Sequence, residues 1–143
     1  MSNAIVTTAF KTQVWTGVAD VDTDVFNAVL LMGTSALADN TIKAWNSYSN
    51  VSAYEVSGAG YTAFGVQLTN VIETSSTGNA SIRKWTADNI SWPSSSFTSD
   101  AVAIIDTSAS DLVVCYLPFG ANKQAIAGTF FLNWPSNGII NLQ

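Results

Sequence analysis

Two strand-length runs, "AVAIID" at 101–106 and "DLVVCYL" at 111–117, are separated only by "TSAS". Neither run alternates, so apolar side chains fall on both faces. Strands of that kind sit in the middle of a sheet, covered above and below. The link is hairpin-length, which pairs the two runs antiparallel. The rest of the chain therefore has to cover both sides of one central hairpin.

Other strand candidates surround it, with turn residues between them. They are "VFNAVLLM" (25–32), "FGVQLTNV" (64–71), "ASIRKWTA" (80–87), "AGTFFLNW" (127–134) and "GIINL" (138–142), with shorter pieces at 55–57 and 89–92. In 64–71, Val66 and Leu68 share one face and Gln67 and Thr69 the other, so one side meets solvent or a partner. "SWPSSS" (91–96) and "NWPSNG" (133–138) each suggest a proline that ends a ladder and a Trp that closes the core edge. One helix is expected, at 3–16. Asn3 is its N-cap, Val6, Phe10 and Val14 recur every four residues, and Gly17 stops it. A short helical turn is expected between Ile42 and Tyr48. Many short strands with turns about every eight to twelve residues point to a mainly β protein. The expected architecture is an antiparallel β-sandwich, jelly-roll or Ig-like, with the helix packed over one opening. The length, 143 residues, suits a single domain over 1–143, with the sandwich occupying 17–143.

The surface of such a sandwich would be unusual. Charged residues are 10% of the chain, against about a quarter in ordinary domains. Apolar residues are 48%, and the remaining polarity is largely Ser, Thr and Asn. A surface of hydroxyls and amides suits a protein packed against others. A net charge of −5, with only Arg83 and Lys84 adjacent among the basic residues, argues against a nucleic-acid partner. "MSNAIVTTAFK" lacks the basic start and long apolar run of a secretory signal, and no stretch is long and apolar enough to span a membrane.

Few residues are equipped for catalysis. There is no histidine, hence no Ser-His or Cys-His pair and no imidazole metal site. The lone Cys115 lies in the apolar hairpin and reads as a buried hydrophobe. The glycines of "YEVSGAGYTAFGVQL", Gly58, Gly60 and Gly65, miss the spacing of a dinucleotide loop, and no Gly-Lys-Ser/Thr follows. They read as turn residues, with Tyr61 and Phe64 folding back over the sheet. Asp20, Asp22 and Asp24 match the first ligands of a calcium loop. Val25 then stands where glycine is needed and Leu31 where glutamate is needed, so a solvated acidic turn is the better reading. "VAIIDTSAS" presents Asp106 as aspartic proteases present their carboxylate, which in one chain of this length would require a homodimer. Asn141 interrupts the apolar-apolar-Gly stretch that such enzymes also carry, and a β-turn in which Asp106 bonds its own backbone is the simpler reading. No cofactor, no metal and no enzymatic activity are expected. Phe10 and Val14 on the helix, with Trp45, Tyr48, Tyr54, Tyr61 and Phe64, are the candidate partner contacts, because aromatic side chains in a charge-poor setting anchor interfaces.

The order of segments carries a resemblance. "DVDTDVFNAVLLM", "EVSGAGYTAFGVQL", "ADNISWPSSSFTSDAVAIID" and "LVVCYLPFGANKQAIAGTFFLNWPSNGIINLQ" together resemble a family of small virion structural proteins of tailed bacteriophages. Its members are head-decoration (cement) or minor tail-associated proteins. The resemblance covers nearly the whole chain and is least typical over 34–53. It implies a β-rich virion component without catalysis, assembled in the bacterial cytoplasm. Its partner would be the major capsid protein, or tail proteins. A homo-oligomer is implied by virion symmetry, and a trimer at local three-folds is one such arrangement.

Overall fold

The computed structural model describes residues 4–76 and 79–142. It is mainly β, and every sheet pairing is antiparallel. The elements in chain order are β1 (Ile5–Val6), α1 (Thr8–Trp15), β2 (Phe26–Leu31), α2 (Asp39–Lys43), α3 (Tyr48–Val51), β3 (Val66–Gln67), β4 (Ile72–Ser76), β5 (Asn79–Thr86), β6 (Ile90–Asp106), β7 (Leu112–Leu132) and β8 (Ile140–Leu142). One sheet has the order β1-β7-β6-β2-β3 and the other β4-β5-β8.

The apolar hairpin is the centre, as its composition requires. Ile104 pairs with Cys115 and Val102 with Leu117, while β2 pairs along the other edge of β6. Alternation sends side chains to two cores. Phe26, Ala28 and Leu30 of β2 join Val102, Ile104, Val114 and Leu117 on one face. Val29 and Leu31 join Ala101, Ala103, Ile105 and Val113 on the other. The three-stranded sheet covers the first face in sandwich fashion. Trp85 of β5 meets Phe26 edge-on at 4.9 Å and donates its indole N–H to the Val21 carbonyl at 3.1 Å. Phe10 of α1 is buried in the same core. The second face is closed by the short helical stretch after β2, through Ile42, Trp45 and Val51.

The helix is shorter than its periodicity suggests. Ile5 and Val6 pair as a strand with Tyr116 and Cys115, because the β-branched pair serves better as the edge partner β7 lacks there. The expected cap at Asn3 lies outside the described residues. The cap is Thr7, whose hydroxyl accepts the Phe10 N–H at 3.2 Å and donates to the Val113 carbonyl. Gly17 does end the helix. At φ +74° it donates to Val14, and Val18 donates to Gln13 at 2.8 Å, the reciprocal pair that closes a helix on a left-handed glycine.

The strands of the hairpin are longer than the sequence pattern suggests. The pieces at 89–92 and 101–106 are one strand, and so are 111–117 and 127–134. Turn-like residues between them make bulges instead of turns. The ladder shifts register between Trp92 and Ser95, between Ser95 and Phe97, and between Ser99 and Ala101. Pro93 therefore does not end a strand. It sits inside the first bulge, where the ladder skips a residue and needs no N–H from it.

Candidate contact surface

The aromatic segment expected to meet partners is tied down mainly by its own chain. Trp45 is buried, edge-on to Tyr116 at 5.9 Å and beside Tyr54 at 6.2 Å. Tyr48 packs edge-on to Phe64 at 4.6 Å, and Tyr61 packs edge-on to Phe97 at 5.7 Å. One carboxylate organises them. Glu55 accepts the Tyr61 hydroxyl and the Phe64 N–H, each at 2.7 Å, and also the Tyr48 hydroxyl. Tyr61 in turn accepts the Leu30 N–H at 3.1 Å, fastening the loop to β2. Burial and then the Glu55 bond push the Tyr48 hydroxyl up to about 12, and the same causes raise Tyr61. Tyr48, Tyr54, Tyr61 and Phe64 are half-buried, whereas Phe10 and Trp45 are core residues of this chain. Of the seven expected contact residues, Val14 stands most open to solvent.

The glycines of this loop work through close approach. A Cβ on Gly65 would lie 2.0 Å from the Ala28 carbonyl oxygen, and one on Gly60 would lie 2.9 Å from the Ser94 carbonyl oxygen. Both residues have positive φ, +70° and +83°. The loop thus lies flush along β2 and β6, where Ala59 bridges to Ser96.

The acidic turn closes on itself. Asp24 accepts the Asp20 N–H at 2.8 Å and Asp20 accepts the Asp22 N–H at 2.9 Å, a bond that holds the Asp20 carboxyl below its usual range. Among the described residues, no three His, Cys, Asp or Glu side chains gather as a metal-ligand set. Asp106 forms the turn that its sequence allows. One oxygen accepts the Ser108 and Ala109 N–H groups at 3.0 Å each, and the residue is sealed from solvent. Its other oxygen has no well-aligned donor and neighbours the Asp24 carboxyl. Burial first, and Asp24 second, push Asp106 up to about 6. Two carboxyls thus meet inside one chain, where the protease pattern would bring Asp106 together with its copy from a second. Cys115 is wholly buried, which raises its thiol far above the ordinary range.

Several large apolar side chains outside the expected contact set stand in solvent. Trp15 at the end of α1 is 89% exposed, and Val18, three residues on, is exposed as well. On the outer part of β7, Ile126 is 75% and Phe131 68% exposed. Phe131 could have been suspected, because "TFFL" places one Phe on each face of a strand. Trp15 lies off the Val6, Phe10 and Val14 row, and nothing in its immediate sequence tells whether another segment covers it. Among the described residues, no helix is long and apolar enough to cross a membrane.

Compared with known protein families, characterised proteins and solved structures, the chain has no match in any of the three.

Proposed function

We propose that this chain is a structural protein of a bacteriophage virion, a decoration or cement protein that binds and stabilises the major capsid shell. The observation that carries the reading is the set of solvent-facing apolar side chains, Trp15 and Val18 at and just after the end of α1 and Ile126 and Phe131 on β7, on a chain with very few charges. Exposed Trp and Phe are the side chains that anchor protein interfaces when a partner covers them. The segment order that resembles small virion proteins gives that partner its identity.

The mechanism is passive. A rigid sheet whose core is closed on both faces binds without refolding. Preference for the expanded shell over its precursor would stabilise the mature state by mass action. Many copies, each contributing modest contacts, would act together on one particle.

Quantitative mass spectrometry of purified particles tests this. Hundreds of copies per particle are expected for a head protein. A few copies would move the assignment to a minor tail or fibre-base component, and absence from particles would end the virion reading. Trp15→Ser together with Phe131→Ser should leave the fold intact and abolish incorporation.

A further inference from the structure

The acidic turn after α1 and the turn that joins β6 to β7 lie against each other, and a buried oxygen between them has no donor. The antiparallel ladder sets Phe26 opposite Asp106. One residue earlier, the Val25 carbonyl accepts the Thr107 N–H and the Thr107 hydroxyl, each at 2.9 Å. The Val25 N–H donates to the Ser108 hydroxyl at 2.9 Å. Asp24 therefore arrives at the hairpin turn from the neighbouring strand. Asp106 is sealed from solvent, and its Oδ1 is taken by the Ser108 and Ala109 N–H groups. Its Oδ2 is buried with no hydrogen-bond partner.

The charged side chain that meets Asp106 there is Asp24, itself half-buried. Two ionised carboxylates in contact out of water repel each other, and neither can donate. A carboxyl that keeps its proton is a donor, so one proton on Oδ2 satisfies the orphan oxygen and turns the repulsion into a charge-assisted hydrogen bond. Other charges on the surrounding elements do not compete. Asp20 turns its carboxylate to the Asp22 N–H, Asp22 is exposed, and Asp111 acts on Tyr48. Among the described residues the only ion pair is Arg83 with Glu73, so no cation pairs with either carboxyl.

We propose that a single proton shared by Asp106 and Asp24 latches the acidic turn onto the β6–β7 turn, and that its loss with rising pH releases the acidic turn while the hairpin stays folded. Val25 remains fastened to Thr107 and Ser108 by neutral groups at any pH, and Ala19 is buried at the other end. The released piece is thus 20–24. It carries the Val21 carbonyl that accepts the Trp85 indole N–H at 3.1 Å, so the latch also governs one tie to the three-stranded sheet.

The direction follows from linkage. In the closed turn Asp106 holds its proton to about pH 6, through burial first and Asp24 second. In the open turn it returns to the ordinary carboxylate range, near about 4. The closed turn is fully favoured below the lower value, loses ground between the two and is level above the upper one.

Hydrogen exchange of the isotope-labelled chain, corrected for intrinsic rates, tests this. From about pH 4 to about pH 7, protection of the Asp24 N–H and the Trp85 indole N–H should fall about tenfold, while Val102 to Ile105 stay protected. In Asp106→Asn the side-chain amide donates to Asp24 at every pH, so protection should stay at its acid level. Asp24→Asn removes the repulsion, and Asp106, followed by carboxyl-carbon NMR, should then titrate nearer the ordinary range. Protection that ignores pH, a loss shared by Val102 to Ile105, or an Asp106 midpoint unmoved by Asp24→Asn would each overturn the proposal.

Discussion

Strands β6 and β7 run side by side along their whole length, yet their two halves are different structures. In the inner half, 101–106 against 112–117, every side chain from Ala101 to Asp106 and from Leu112 to Leu117 is buried. In the outer half, 90–99 against 118–132, buried and exposed residues alternate irregularly, and the register shifts repeatedly. The backbone ladder is of the same kind in both, so pairing does not make the difference. Flanking does. The inner half has β2 beside it, one sheet and α1 on one face, and the 42–51 helices on the other. The outer half has the glycine loop along the edge of β6, but the edge of β7 is broken by Pro118, Gly120 and Ala127, the last two at positive φ. Bulges and a proline are how natural edges avoid indiscriminate pairing. The lesson is that one hairpin is sealed core at one end and a partly solvent-facing strand pair at the other.

The contrast can be broken most sharply in the core. Ile104→Ala, at a fully buried site, should cost about 2–5 kcal/mol in urea unfolding. A loss below 1 kcal/mol would mean that the inner half is not packed on both faces. Next is the glycine loop where it lies against β2, the strand beside the inner half. Gly65→Ala forces a Cβ into the Ala28 carbonyl at positive φ and should cost about 2–3 kcal/mol. Hydrogen exchange should show the loss at Phe64 to Leu68 first. Unchanged stability would place the loop away from β2.

A smaller effect is expected at the turn that ends the inner half. Asp106 keeps its proton to about pH 6 when folded, against 3.8 for the ordinary group. Its contribution to stability is therefore complete below the lower value and is lost as pH rises through the upper one. Asp106→Asn should flatten that decline, so the variant gains on the parent above pH 7 by on the order of 1 kcal/mol. Unfolding midpoints at pH 4, 5.5 and 8 measure it; parallel curves would assign the titration elsewhere. Smallest of all, Phe131→Ala should change stability by less than about 0.5 kcal/mol, because the ring is already in water. A large loss would show that the outer half is covered within its own chain.

Much of the core was readable from patterns of a few residues. The unbroken apolar runs at 101–106 and 111–117 announce burial on both faces whatever else the chain does, and Gly17 announces a helix end. The error at the N-terminus has a plain cause. Val6, Phe10 and Val14 fit a helical spacing, but Ile5 and Val6 are also good strand residues, and the open edge of β7 decided between the two. The bulged strands were missed for a related reason. "PSSS" and "FGANK" carry the same residues whether the chain turns back or merely kinks, and only a partner strand on the far side tells which. Candidate contacts divided along the same line: the sequence shows that Trp45 is aromatic and charge-poor in its setting, but not that it would close the second core.

Local alternation and turn chemistry were enough to determine the all-antiparallel β class, the central hairpin and a surface poor in ions, because these depend on neighbours a few residues away. The placement of Glu55 under three aromatic-loop donors, the meeting of Asp24 with Asp106, the burial of Asp100 under the Thr34 and Ser35 donors, and the exposure of Trp15 and Phe131 were decided by the tertiary structure. Each depends on which distant segment arrives to bury a side chain or leaves it in water, and no periodicity within a segment encodes that.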